Sequence, residues 1–478
     1  MLAILMTAVV LAAPPDFSKA YFTGLERPNA RRIDISRQDG PVILVVVDAL
    51  RPDRISPYGF SRDTTPNLER LADEGLVLTN YFVNGNWTRP TTASLLTGLP
   101  PPVHGVEREG DKLAAEFATL AEVLSGVGVP TGAVVGNGNA GSAFGLSRGF
   151  DFYADTVKHW KGLPSAEQVT ELAVPFVRQH QKEPFFLMLF FVDPHDPYHA
   201  PGEFENMYVE DLSVPLIRTP HWELGNYSVA EVERMKATYD GAVRYTDTVL
   251  GRFFEQLRQL GIYDKATIIV TSDHGEAFGE HGVFLHSHHF YDEIVRAPLI
   301  IKAPKMSVRG AYNHYLFQTI DLLPTLVSYY GVPVNSKLPG VDILAHLKKP
   351  MRNDPQRAVI SSFYNFGINR RMIRTYREKI IYEEPADEKE FLATVGKRSL
   401  LPSVSFDGER IRMFNVAKDP FEHEDVFRPS LLKQKRWKRL FSRLKAQGSK
   451  HKPPTVVPLV GNIDPETYQD LRALGYIQ

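Results

Sequence analysis

Pro41-Val42-Ile43-Leu44-Val45-Val46-Val47-Asp48 decides the fold: it is an unbroken apolar, β-branched run that stops on a carboxylate. A strand with one face in water alternates apolar and polar residues, so a strand apolar on both faces reads as a buried parallel strand. Ala266-Thr267-Ile268-Ile269-Val270-Thr271-Ser272-Asp273-His274-Gly275-Glu276 repeats the pattern, again running from apolar residues into an acid. Ligands of open α/β sheets gather at the carboxyl ends of strands. A lone strand-end Asp also serves as a helix cap. Two such ends, one continuing as Asp-His-Gly-Glu, point to metal binding.

Working outward, apolar strands and helical stretches alternate over residues 41–340, which implies a large, mostly parallel α/β sheet sandwiched by helices. Strands are predicted at Val42 to Val47, Thr131 to Val135, Phe185 to Val192, Ala266 to Thr271 and Pro298 to Lys302. Helices are predicted at Pro66 to Glu74, Glu116 to Ser125, Val229 to Leu260 and Ile320 to Tyr330. Residues 200–227 lack periodicity and carry several prolines, so they read as an excursion able to cover a site. Residues 341–478 read as a smaller α+β subdomain, with short strands at Ala358 to Phe363, Met372 to Arg377, Lys379 to Glu384 and Ile411 to Asn415. They form a small antiparallel sheet with a basic helix, Pro429 to Gln447, and a final helix. The lysines and arginines between Lys433 and Lys452 read as a solvated helix face.

The 478 residues, 43% hydrophobic and 23% charged, have the composition of an ordinary globular protein, too long for one small core. The formal net charge of -1 gives no support for a nucleic-acid partner. Residues 1–40 open on Met1-Leu2-Ala3-Ile4-Leu5-Met6-Thr7-Ala8-Val9-Val10-Leu11-Ala12-Ala13, the apolar core of a signal-like segment that is short for a membrane span. Export, to a periplasmic, secreted or membrane-tethered state, is therefore expected, with a clipped gene start or weak membrane contact through this segment as rival readings.

Five segments resemble, in order, the signature segments of the sulfatase family within the alkaline phosphatase superfamily. They are Asp48-Ala49-Leu50-Arg51-Pro52-Asp53, Thr65-Pro66-Asn67-Leu68-Glu69-Arg70-Leu71-Ala72, Ala93-Ser94-Leu95-Leu96-Thr97-Gly98, Asp193-Pro194-His195-Asp196-Pro197-Tyr198 and Ser272-Asp273-His274-Gly275-Glu276. Met413-Phe414-Asn415-Val416-Ala417-Lys418-Asp419-Pro420 and Leu471-Arg472-Ala473-Leu474-Gly475-Tyr476 extend the likeness over nearly the whole chain. The resemblance implies an alkaline phosphatase-like fold, a metal-dependent ester hydrolase or transferase, and a small-molecule, glycan or lipid-type ester as substrate.

Departures from the family pattern are as informative. Usual sulfatases carry Cys-x-Pro-Ser-Arg, whose cysteine becomes formylglycine; here the frame reads Thr88-Arg89-Pro90-Thr91-Thr92. The chain has no cysteine, so formylglycine from cysteine is excluded. Gly136-Asn137-Gly138-Asn139 stands where Gly-Lys-x-His is expected, and Ala49 where a second aspartate is usual. The resemblance thus implies Thr88 as nucleophile and metal ligand, with Asp48, Asp273 and His274 completing the site of one divalent ion, Mn, Zn, Mg or Ca. Asn137 and Asn139 stand at sulfate-gripping positions, either Arg51 or Arg89 is available to compensate for the missing motif arginine, and His195 is implied as the leaving-group partner. His286 and His288 flank the position of a further basic substrate contact, His286 as a catalytic group and His288 as a binding one. His195, Asp196 and His199 lack the spacing of a second ligand set, so one ion is expected.

Blander readings accompany each. Thr88 alone reads as the cap of a helix starting near Thr91, His195 as a surface loop residue and the histidines at 286, 288 and 289 as loop decoration. Chemically, a threonine hydroxyl held by a divalent cation suits phosphoryl transfer, which needs positioning and charge neutralisation. A sulfated threonine would lack the elimination route of a geminal diol, so phosphoester is favoured over sulfate ester. A non-catalytic relative that binds an anionic ligand is the alternative. Oligomeric state and the choice between hydrolysis and transfer stay open at this level.

Overall fold

The computed structural model describes residues 40–155, 163–221, 226–332, 338–348, 357–365, 367–395 and 405–449. The signal-like segment and the final helix lie outside them. In chain order the main strands are β1 (Val42–Val47), β2 (Leu76–Phe82), β3 (Thr131–Val135), β4 (Phe152–Asp155), β5 (Phe186–Phe191), β6 (Thr267–Thr271), β7 (Ala277–Phe278), β8 (Phe284–Leu285), β9 (Arg296–Ala297), β10 (Leu299–Lys302) and β11 (Ala311–Gln318). The large sheet has the order β11-β2-β10-β6-β1-β5-β3-β4, with β9 against β2, while β7 and β8 form a separate hairpin. Its centre is parallel, β1 lying between β5 and β6. The predicted strand at Pro298 to Lys302 is β10, and it runs antiparallel to both neighbours.

The unbroken apolar run of β1 is explained by its two buried faces. Val42, Leu44 and Val46 belong to one core, Ile43, Val45 and Val47 to another. Onto the first pack α2 (Thr88–Thr97), α3 (Leu120–Ser125) and α6 (Leu322–Tyr329); onto the second, α1 (Pro66–Glu74), α4 (Ala166–Gln179) and α5 (Val229–Gln259). The fold is therefore the helix-flanked, mostly parallel sheet expected from the sequence.

Helix ends follow capping chemistry more closely than apolar periodicity. The helix expected from Glu116 starts instead at Leu120, because Thr119 and Glu122 close a capping box there. Ser228 with Glu231 starts α5 in the same way. At the start of α6, Thr319–Asp321 form a 3-10 turn rather than α-helix. In the excursion after Ala200, Gly202–Asn206 make a 3-10 turn whose Phe204 packs on Tyr245 of α5, 5.5 Å between ring centroids.

The second sheet is antiparallel and ordered β12 (Val359–Asn365), β13 (Ile368–Arg374), β14 (Lys379–Glu383), β15 (Arg410–Phe414). One face takes Trp437, Leu440 and Leu444 of the basic helix α7 (Lys435–Ser449). Phe363, Met372, Ile381 and Phe414 on the other join the core of the large sheet. Between the two sheets Arg374 and Lys379 each meet the Asp292 carboxylate at 2.9 Å, and Lys379 also meets Glu422 at 2.8 Å. β13 begins four residues before its predicted start at Met372, since Asn369, Arg370 and Arg371 carry no apolar signal. Arg370 is buried all the same, against Glu383 at 2.7 Å.

Candidate active site

Strand register builds the site. Val47 stands opposite Phe191, Val46 opposite Thr271 and Val135 opposite Phe190. β1, β3, β5 and β6 therefore end together, and the residues that follow emerge at one edge: Asp48, Asn137, His195, and Asp273 with His274. Thr88 arrives from β2 through a turn pinned by the Ser287 amide, which donates to the Asn86 carbonyl at 2.9 Å.

Thr88 is not the helix cap that its isolated reading suggested. Trp87 holds the N-cap position in extended conformation, and α2 starts on Thr88 itself. Pro90 is tolerated there because a first-turn residue has no intrahelical N–H bond to lose. The Thr88 hydroxyl is fully buried at this helix start. Its Oγ accepts from Asn137 Nδ2 at 3.3 Å and lies 3.4 Å from His274 Nε2.

The same Asn137 amide donates to Asp48 Oδ2 at 2.6 Å. His274 Nε2 stands 3.3 Å from Asp48 Oδ1 and 3.3 Å from Asp273 Oδ2. His274 Nδ1 bonds the Gly275 carbonyl at 2.8 Å, so that nitrogen carries the proton and Nε2 offers its lone pair to the cluster. Asp273 Oδ1 is held by the amides of His274 and Ala49 at 3.0 and 3.4 Å. Ala49 sits at φ 55°, a left-handed conformation that aims its N–H at Asp273.

Electrostatically this is an acidic, dry place. Burial pushes the Asp48 carboxyl well above the ordinary range, and burial followed by the Asp48 charge pushes Asp273 up to about 7. Burial also pulls His274 down to about 3, which keeps its imidazole neutral. Asp48 Oδ1 and Asp273 Oδ2 are buried without a hydrogen-bond partner. Those two oxygens, with the His274 nitrogen, form a ligand set whose atoms lie within 4.8 Å of one another. Two orphaned carboxylate oxygens, a neutral imidazole and a hydroxyl fit a divalent cation.

The other expected residues separate into two groups. His195 and His286 stand beside this cluster: the His286 ring stacks on His274 at 4.1 Å between centroids and meets His195 edge-on at 4.7 Å. Arg89 and Asn139 form a pair behind Asn137. The Arg89 guanidinium lies on the Phe144 ring at 3.4 Å and bonds Asn139 Oδ1 at 2.5 Å and the Glu109 carbonyl, while the Asn139 backbone N–H donates to Asn137 Oδ1 at 2.8 Å. His288 turns toward the small sheet, its ring 5.9 Å from Phe363.

Asp196 and Glu276 received no role from the sequence, yet both are buried at the site. His195, Asp196 and His286 make a second set of potential ligands within 4.8 Å, and Glu276 Oε1 lies 3.2 Å from His286 Nδ1. Chain spacing could not reveal this set, because His286 follows a different strand from His195. The Asp-His-Gly-Glu stretch was the available signal for Glu276.

A buried carboxylate, imidazole and hydroxyl constellation at the carboxyl edge of a mostly parallel sheet defines an α/β protein of the alkaline phosphatase type. The chain belongs to the sulfatase family, whose model matches residues 41–332. A second model, N-sulphoglucosamine sulphohydrolase, C-terminal, matches residues 279–450. The chain is 26% identical over 404 residues to the multifunctional alkaline phosphatase superfamily protein PehA of Trinickia caryophylli, covering 66% of this chain and 78% of that one. Among solved structures, one holding its substrate D-glucosamine-2-N,6-O-disulfate superposes with a TM-score of 0.71 at 19% identity, covering 87% of this chain and 99% of the other. The phosphonate monoester hydrolase of Agrobacterium radiobacter superposes with a TM-score of 0.66 at 20% identity over 86% and 96% of the two chains. At these identities the structural likeness is one of fold.

Proposed function

We propose that the protein is a metal-dependent hydrolase of sulfate, phosphate or phosphonate esters that uses Thr88 as its nucleophile, with phosphorus favoured over sulfur. The observation that carries this reading is the Thr88 hydroxyl, buried at a helix start within 3.4 Å of His274 Nε2 and within 3.3 Å of Asn137 Nδ2. Asp48, Asp273, His274 and Thr88 would hold the divalent cation, which supplies charge neutralisation at the transferred group and acidifies a coordinated hydroxyl.

The protein's own groups do the rest. Asn137 orients Thr88 and Asp48 with one amide, while Arg89 and Asn139 hold Asn137 in place from behind. Thr88 Oγ forms a bond to phosphorus as the bond to the ester oxygen breaks, its proton passing to a neighbouring carboxylate. Water then attacks the esterified Thr88, releasing the inorganic acid and restoring the hydroxyl. His195 and His286, whose rings meet edge-on at 4.7 Å beside His274, serve the departing oxygen. The water-excluded helix N-terminus favours the anionic group throughout.

Phosphorus is favoured because a sulfated threonine has no easy route to elimination, whereas phosphoryl transfer needs chiefly the positioning and charge neutralisation that a cation supplies. The test is a metal-supplemented screen of aryl sulfate, phosphate monoester, phosphodiester and phosphonate ester with the wild-type chain and Thr88→Ala. Turnover on a phosphorus ester, reduced at least ~10³-fold in Thr88→Ala, is expected. Equal turnover in the variant removes Thr88 as nucleophile, and preference for aryl sulfate removes the phosphorus assignment.

A further inference from the structure

We infer that His281 is a positioning residue: its imidazolium clamps the tip of the β7–β8 hairpin to the loop after β15, and so holds His286 and Ser287, at the hairpin's foot, against the site. The inference rests on the proposed role of His286 and adds a proton-dependent control over its placement. Both ring nitrogens of His281 face acceptors: Nδ1 lies 2.8 Å from Glu293 Oε1, and Nε2 lies 3.0 Å from the Phe421 carbonyl. A carboxylate and a carbonyl cannot donate, and a neutral imidazole has one N–H, so only the imidazolium makes both bonds.

The surroundings suit that cation. Its ring stacks on Tyr291 at 3.8 Å between centroids and 6° between planes, which offers a π face to the charge. The His281 and Glu293 side chains are 12% and 9% exposed, so solvent screens the pair little. The other charged and titratable groups around it are Glu422, held by Lys379 at 2.8 Å, and His423, 6.3 Å away between centroids. Arg412 donates to the Tyr291 hydroxyl at 2.6 Å, His289 stacks on the Tyr291 ring, and Glu280 on the same turn is committed to Arg51 at 2.9 Å. Burial opposes the charge, but Glu293, Glu422 and the Phe421 carbonyl outweigh it and hold the His281 imidazole above its ordinary value.

The hairpin needs holding. His281, Leu285 and Ser287 have φ of 58°, 61° and 76°, left-handed conformations that non-glycine residues keep only where the surroundings enforce them. Glu276 and His286 flank the hairpin with Oε1 and Nδ1 3.2 Å apart, and the His286 ring stacks on His274 at 4.1 Å. The Ser287 amide donates to the Asn86 carbonyl at 2.9 Å, two residues before Thr88. Of the two anchors at the tip, the Arg51 guanidinium keeps its charge at every working pH, whereas His281 titrates. Its folded value is raised, so the clamp is closed below about pH 6.5 and is lost as pH rises through that raised value.

Hydrogen exchange, read by mass spectrometry on the full-length chain without substrate, tests the clamp from about pH 5.5 to 9, each rate divided by the intrinsic rate at that pH. Wild-type amides over residues 277–287 should open about 10-fold more at the alkaline end, the equivalent of one lost charge-assisted hydrogen bond. His281→Gln should be open by that factor throughout, with circular dichroism confirming its fold. Glu293→Gln, which keeps an acceptor and removes the charge, should move the wild-type transition down by about one pH unit. Protection without a transition in the wild type, a transition retained in His281→Gln, or one unmoved in Glu293→Gln overturns the clamp. A Ser287 amide that stays protected while the tip opens overturns the link to the site. Because no substrate is present, failure of the clamp is distinguishable from failure of Thr88 as nucleophile, which the ester screen reads.

Discussion

Thr88 is an ordinary hydroxyl until its neighbours are placed, and the neighbour that matters most at the residue scale is Asn137. Its amide bridges Asp48 at 2.6 Å and Thr88 at 3.3 Å, so one side chain holds both a proposed metal ligand and the proposed nucleophile. Asn137→Ala should weaken cation affinity by about 10–100-fold, the usual cost of losing an orienting partner behind a ligand. Calorimetric titration of the chelator-stripped variant measures this; affinity equal to wild type would show that Asp48 needs no such support. The sequence placed Asn137 and Asn139 side by side as equal substrate contacts. In the structure Asn137 touches Thr88, while Asn139 stands behind it, its backbone N–H on Asn137 and its side-chain oxygen on Arg89. Linear order cannot make that distinction, since Arg89 reaches Asn139 only through the packing of α2 against the loop after β3.

At the element scale, β10 carries a testable charge. Lys302 is 4% exposed, bonds the Tyr263 and Ala266 carbonyls, and burial pulls its amine down to about 8. Below pH 8 folded and unfolded chains both carry the proton, and the fold bears the full cost of burying it. Between about 8 and the unfolded value near 10.4 the folded amine is neutral while the unfolded one stays charged, so stability from this group rises with pH. The wild type should gain up to roughly 3 kcal/mol relative to Lys302→Met across that window, read from melting temperatures at a series of pH values. Parallel profiles for the two chains would refute the burial argument. Lys302 was predicted only as the end of a strand, and its antiparallel pairing follows from how the chain returns to the sheet.

Elements whose signal is local were legible. β1 and β6 announce themselves by apolar runs, and α5 by its capping box and long periodic face. β2, β11 and α4 escaped notice; β11 mixes Asn313, His314 and Gln318 with aromatics, so its buried pairing with β2 has no simple pattern to read.

For the whole molecule, the acidic edge of the sheet ties cation binding to stability. Because the folded chain gathers ligands that the unfolded chain scatters, a bound cation stabilises by mass action, ~2.7 kcal/mol at a concentration one hundred times Kd. Chelation should therefore lower the melting temperature by about 3 °C, restored on readdition of the metal. An unchanged melt under both conditions would argue against a bound cation in the folded protein.

The sequence by itself determined the class of fold, the strand ends that carry Asp48 and Asp273, and the hydroxyl frame at Thr88, because each is written in adjacent residues. The tertiary structure alone decided that His286 joins His195 and Asp196, that Glu276 lies buried against them, and that Arg89 faces Asn139. Those meetings depend on register between parallel strands and on loops that return from different parts of the chain, and no local pattern encodes a distance between them.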